Sequence, residues 1–321
     1  MSIYTIKTHS LFKFSGLFFA IIYGFFIFGS VQYLYSVGSG DIGSYVDFFT
    51  KNTDSAFLLQ EYSVLSGDVA FRVLVISLGN YVNVAPITVL SYLAFIISSL
   101  VFCIYAVHIR SSKYLIYILP LFLMIFFTPM VSNLFNSSLR SGLSFTILMI
   151  SFVYFNGFWK YVLFGLSVAI HLSMAPIIAL YVLYHMLKRT RIKSPFIVPF
   201  FALALTSFSI VVASYVLKVN VTPIDSSNLY NVLILFIGLL IIFTNKKVIK
   251  DIHGFMSIGI ILIYLFGFII DLSFSRYIGN AIILYLFFLI EKGELGTIQV
   301  FTAGYIPFFF LVSFYSISNI L

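Results

Sequence analysis

LFKFSGLFFAIIYGFFIFGSVQYLY, residues 11–35, decides how the rest of the chain is read. It holds one charge, Lys13, in 25 positions. That is longer than the 7–15-residue core of a secretory signal, and no clear small-x-small cleavage site follows it, so a retained first membrane span is expected. As a helix it more than covers a hydrocarbon core of about 30 Å.

Similar runs recur to the C-terminus. The 321 residues are 61% hydrophobic and 9% charged, with a mean hydropathy of +1.11. A soluble domain carries roughly a quarter charged residues, so most of this chain lacks a water-facing side. Backbone polar groups in lipid must be satisfied internally, and the runs are too long for barrel strands. The fold class expected is all-α: one polytopic membrane domain, 1–321, with about 9–11 spans plus interfacial or re-entrant helices. Spans are expected near 14–37, 84–107, 114–131, 140–157, 195–217, 230–244, 253–270, 277–291 and 296–318.

The net charge of +8 follows from topology, not from nucleic-acid binding. Thirteen of the 18 basic residues fall in short connections, such as Lys188, Arg189, Arg191 and Lys193, or Lys246, Lys247 and Lys250. The positive-inside rule makes these cytoplasmic. The stretch 38–68 carries Asp41, Asp47, Asp54, Glu61 and Asp68 against Lys51. It is expected to be a long acidic, aromatic loop on the outer side. VAFRVLVISLGN (69–80) is expected at the outer interface or re-entering from it. In 161–187 basic residues flank both ends, and a segment that enters and returns to the same face keeps both large basic clusters inside. Its two arms would then be about 20 Å each, with His171 and Pro176 at the apex.

Cys103 is the single cysteine and lies in an apolar run, so no intrachain disulfide is expected. The five histidines are scattered, there is no HExxH, CxxC or phosphate-binding glycine loop, and neither a metal cage nor a cofactor is expected.

Several polar residues sit where lipid-facing chain would not place them. NSSLRSGLSF (136–145) interrupts apolar sequence. On one helix starting near Val131, residues Asn133, Asn136, Ser137, Arg140 and Ser144 share a face. An arginine at membrane depth faces a cavity or a partner, unless it snorkels from a helix end. DLSFSRYIGN (271–280) offers Asp271, Arg276 and Tyr277 at the outer mouth of another span, or a local Asp–Arg interface pair. Asp68 and Arg72, and likewise Asp41 and Tyr45, are four residues apart and share a helix face. The first pair suits a helix anchor as well as catalysis, the second loop solvation as well as a sugar site. His171, with Ser173 beside it, is a general-base candidate if it lies in a cavity, and otherwise a core histidine.

These elements in this order resemble the bacterial O-antigen polymerases of Wzy type and the related EpsG-like exopolysaccharide polymerases. The resemblance rests on D-x-x-x-Y (Asp41, Tyr45), an acidic residue before a short aromatic helix (Asp68 to Phe71), and N-x-x-x-R-x-G-L (Asn136, Arg140, Gly142, Leu143). H-x-S (His171, Ser173) and an arginine–aromatic pair opening a span (Arg276, Tyr277) complete it. The family commonly has glutamine and alanine at positions 141 and 144, and often glutamate at 68. The resemblance implies transfer of a growing glycan from undecaprenyl diphosphate onto the next lipid-linked repeat unit, at the outer face of the inner membrane. It implies no metal. Arg140 and Arg276 would hold the departing diphosphate, His171 would take the acceptor proton with Asp68 and Asp41 behind it, and Asn136, Ser144, Asp41, Tyr45, Arg72, Asp271 and Tyr277 would bind substrate. The partners expected are lipid-linked repeat units, the membrane and a chain-length regulator protein, with no nucleic acid. An O-antigen ligase would use the same donor. A flippase or transporter would line an inner cavity with basic residues, and an O-acyltransferase would need its His and Arg on the cytoplasmic side.

Overall fold

In the computed structural model of the chain, the residues described are 3–38, 41–51, 69–81, 84–108, 122–190, 201, 204, 236, 238–241, 248–269, 276–294, 296–298 and 300–307. Among them the regular structure is helical throughout. We number the principal helices α1 (Ile3–Ser36), α2 (Ile42–Lys51), α3 (Val69–Tyr81), α4 (Pro86–His108), α5 (Pro129–Asn136), α6 (Leu139–Tyr154), α7 (Phe158–Ile170), α8 (Ala175–Thr190), α9 (Ile252–Ile269) and α10 (Arg276–Lys292). Two of these contain stretches long and apolar enough to cross a membrane, Gly16–Ser36 and Pro86–Ala106. Most of the expected spans at 195–217 and 230–244, residues 114–121 of the span at 114–131, and 308–318 lie outside the described residues.

The chain groups into two compact units: Met1–His108 with Ser132–Ala175, and Ile109–Val131 with Pro176–Leu321. In the first, α1 and α4 run antiparallel along a stripe of small residues. A Cβ on Gly16 would lie 2.5 Å from that of Ala106, and one on Gly24 2.8 Å from the Phe95 ring. Ser99 Oγ donates to the Ala20 carbonyl (3.1 Å) and Gln32 Nε2 to Ser91 Oγ (2.9 Å). Gly16, Ala20 and Gly24, four apart, let the two backbones approach closely, as small-x-x-x-small stripes do in lipid.

The expected single helix carrying the Arg140 stripe is corrected by the structure. The chain breaks at Ser137 and Ser138, between α5 and α6. The amides of Ser137 and Ser138 both bond the Asn133 carbonyl (3.3 and 3.0 Å), closing α5, and Gly142 N–H bonds the Ser138 carbonyl to start α6. Gly142 allows the reversal, because a Cβ there would collide with the Leu134 carbonyl oxygen. A turn at Gly157 (φ +64°) then leads into α7, and Ser167 Oγ on α7 donates to the Ser144 carbonyl (2.8 Å).

The segment 161–187 is not one helix. His171 adopts an extended backbone (φ −155°, ψ 116°), and one 3-10 turn, Leu172–Met174, separates α7 from α8. With 13 residues, α7 is about 20 Å long, short of a bilayer core.

In the second unit α10 is buried along its length from Ile278 to Ile290, and Ser257 Oγ on α9 donates to its Ala281 carbonyl (2.8 Å). Gly279 admits the Met130 carbonyl, 2.6 Å from where a Cβ would stand.

Candidate functional site

The first unit holds a cavity of about 180 Å³ where α2, α3 and the first turn of α6 meet. Its lining comes from three separate stretches: Asp41, Ser44 and Tyr45; Phe71, Arg72 and Val75; and Arg140. Four of these, Asp41, Tyr45, Arg72 and Arg140, are residues singled out from sequence.

The local geometry follows from helix spacing. Asp41 precedes α2, and its carbonyl accepts the Tyr45 N–H (3.1 Å), so their side chains leave the same side of the helix. Tyr45 is buried against Phe71 of α3, with ring centroids 5.3 Å apart. Arg140 reaches this pair from α6. Its Nε donates to the Tyr45 hydroxyl (2.9 Å), its guanidinium carbon lies 5.3 Å from the Tyr45 ring centre, and one terminal nitrogen stands 3.5 Å from Asp41 Oδ2. That last separation is at the long limit for a hydrogen bond.

Arg140 is the second residue of α6. A helix start carries the positive end of its dipole, where a cation is disfavoured and an anion attracted. Helix end, Arg140 and Arg72 therefore act in the same direction, with Asp41 the one carboxylate among the lining residues. The cavity thus carries two guanidiniums and a helix start against one carboxylate, beside the buried Tyr45–Phe71 ring pair.

The other sequence candidates fall elsewhere. Asn136 ends α5 and is buried, and its Oδ1 has no hydrogen-bond partner among the described residues. Ser144 is wholly buried and not among the cavity's lining: its hydroxyl donates within α6 to the Ser141 carbonyl (3.1 Å), and only its backbone carbonyl meets α7, accepting from Ser167. His171 is half-buried at the α7–α8 break, in the same unit as Arg140 but outside the cavity lining. Arg276 and Tyr277 open α10 in the second unit. The guanidinium that lines the cavity with Arg140 is Arg72. Asp68 and Asp271, and the side chain of Arg276, lie outside the described residues.

One cluster escaped the sequence reading. In the second unit, Asp251, His253 and Glu291 each present a ligand-type atom within 4.8 Å of the others. The signal was the short D-x-H at 251–253, but its partner lies 38 residues further on and only the packing of α9 on α10 joins them.

No family model, no curated protein and no solved structure matches the chain.

Proposed function

We propose that the chain is a polysaccharide polymerase of the bacterial inner membrane, multi-pass, with its site facing the periplasm. It transfers a glycan from undecaprenyl diphosphate onto the next lipid-linked repeat unit. One observation carries the reading: Asp41, Tyr45, Arg72 and Arg140, drawn from three separate stretches, line one cavity with two guanidiniums and one carboxylate.

The reaction breaks the bond between the donor's anomeric carbon and the diphosphate oxygen. The bonding electrons leave with the polyprenyl diphosphate, and an acceptor hydroxyl oxygen forms the new bond. Charge grows on the departing oxygen, where preorganised cations stabilise the transition state most. Arg140 and Arg72 supply that charge, and a guanidinium matches phosphate with a planar fork it cannot lose by deprotonation. The acceptor proton needs a carboxylate or imidazole. Asp41, in the cavity itself, takes this role as carboxylates do in other glycosyl transfers. His171, the leading base by sequence, stands outside the lining. The cavity is below the roughly 300–1,000 Å³ of drug-sized pockets. It admits a diphosphate or one sugar ring, and the rest of the repeat unit extends from its mouth.

The test is the surface-polysaccharide profile of a deletion strain complemented with wild type, Arg140→Ala or Arg72→Ala at matched membrane levels. Lipid anchors capped with single repeat units in the deletion and both variants support the reading. Anchors bearing none assign the step to ligation or flipping and overturn it.

A further inference from the structure

We propose that Asp251, His253 and Glu291 form a binding site for one divalent cation of the zinc type, joining the start of α9 to the end of α10. The inference is independent of the polymerase reading and gives the cation no part in glycosyl transfer.

The geometry is close to a ligand set. Both Glu291 Oε2 (3.1 Å) and Asp251 Oδ1 (3.7 Å) approach the same imidazole nitrogen, His253 Nδ1. All three atoms lie within 4.8 Å of one another. Tetrahedral Zn²⁺ with bonds of about 2.0–2.1 Å needs ligand atoms roughly 3.3 Å apart. Two of the three separations bracket that value. A proton on Nδ1 would join the imidazole to Glu291 Oε2 alone, while Asp251 Oδ1, which accepts the His253 backbone N–H (3.0 Å), keeps a lone pair 3.7 Å from that nitrogen. A cation at the centre serves all three.

The surroundings hold the ligands in place. The Asp251 and His253 side chains are each 9% exposed. The His253 backbone N–H donates to Asp251 Oδ1 (3.0 Å), and Lys292 Nζ holds the other carboxylate oxygen, Oδ2, at 2.8 Å, which fixes the plane of the carboxylate. The imidazole packs edge-on against Phe287, with centroids 4.7 Å apart. Gly254 lets the preceding 3-10 turn fold back on α9, since a Cβ there would collide with the Val248 carbonyl. Glu291, 30% exposed, is the ligand nearest solvent and leaves room for the ion and one water to enter. One imidazole with two carboxylates suits zinc or manganese over calcium or a soft thiophilic metal.

The full chain, purified in detergent through a histidine-free tag and stripped with chelator, is titrated with Zn²⁺ and with Co²⁺. One ion retained per chain, a visible Co²⁺ absorption band and a thermal midpoint raised by Zn²⁺, all lost in His253→Gln and Glu291→Gln, is the result expected. Zn²⁺ without effect on the wild-type midpoint and no retained ion would overturn the proposal. So would equal Co²⁺ binding by wild type and both variants. The glutamine variants keep a polar side chain of similar size. The Co²⁺ band reads ligation even where one of them is less stable.

Discussion

Replacing Gly142 with alanine tests the reversal that aims Arg140. The new methyl carbon would lie inside 3.0 Å of the Leu134 carbonyl oxygen and 3.2 Å from its carbon, whereas ordinary contact begins at 3.4 Å. Both opposing atoms are backbone, so the end of α5 must retreat from the start of α6 by at least 0.4 Å. Overpacking of this kind costs about 1–3 kcal/mol, and alanine returns about 0.8–1.0 kcal/mol of helix propensity. The net destabilisation is thus at most about 2 kcal/mol, and the thermal midpoint in detergent should fall by a few degrees. Activity should fall further, because Arg140 is two residues away and a 1 Å misplacement at a reacting centre costs about 10²-fold. The ratio of polymer to single repeat units on a gel, at matched membrane levels, should drop tenfold or more. Gly165→Ala on α7 is the control: nothing lies within 4 Å of its added carbon, so midpoint and polymer should be unchanged or slightly improved. A Gly142→Ala protein with wild-type midpoint and polymer would refute the close approach and the broken-helix geometry built on it.

Four more outcomes are expected. Arg140→Lys keeps the charge but loses the fork, so polymer yield should fall between wild type and Arg140→Ala, whose loss should be about 10²–10³-fold. Tyr45→Phe removes the acceptor of the Arg140 Nε–H (2.9 Å) but keeps the ring on Phe71. Binding of a lipid-diphosphate donor should weaken by about 1.5–3 kcal/mol, with the thermal midpoint unchanged. Ser167→Ala deletes an interhelical bond (2.8 Å) and should cost about 0.6 kcal/mol, the mean for such bonds in lipid, leaving polymer length alone. The hydrogen bond that Lys292 donates to Asp251 raises the affinity of Lys292 for its proton. A raised folded-state value gives stability that is complete through neutral pH and is lost only as pH climbs above about 10. Lys292→Met should remove that alkaline loss from a midpoint-against-pH series, a small effect since the side chain is 49% exposed.

Much of this was legible along the chain. The apolar runs at 84–107, 253–270 and 277–291 match α4, α9 and α10 to within two residues, whereas α1 begins eleven residues before the expected 14–37. Asp41 with Tyr45, and Arg72 and Arg140, stand out as polar groups in chain that otherwise shuns water. The break at Ser137–Ser138 was hidden. The polar periodicity runs straight through it, and no proline marks it; it exists because Gly142 accepts the Leu134 carbonyl, a contact that only tertiary packing reveals. For the same reason nothing along the chain joined Arg72, in the interfacial-looking run at 69–80, to Arg140, the guanidinium with which it lines the cavity. The stripe Gly16, Ala20, Gly24 was present in the sequence at a spacing that marks close helix contact. Spacing alone does not name the helix such a stripe will meet. His253 looked isolated because Glu291, which meets its Nδ1, comes from the end of another helix.

The antiparallel pairing of α1 with α4 has a consequence for the cavity. Residues 37–85 connect the two helices, and they carry Asp41, Tyr45, Phe71 and Arg72. Closing a free chain of that length costs on the order of 3 kcal/mol of conformational entropy. Once the glycine stripe has seated α1 on α4, that closure is already made, and α2 and α3 need only settle over a fixed opening. The pair therefore works as a clasp that confines the binding segment. Substitutions at Gly16 or Gly24, far along the helix from any ligand, should widen the ensemble from which the cavity is drawn and weaken binding without touching a contact in it.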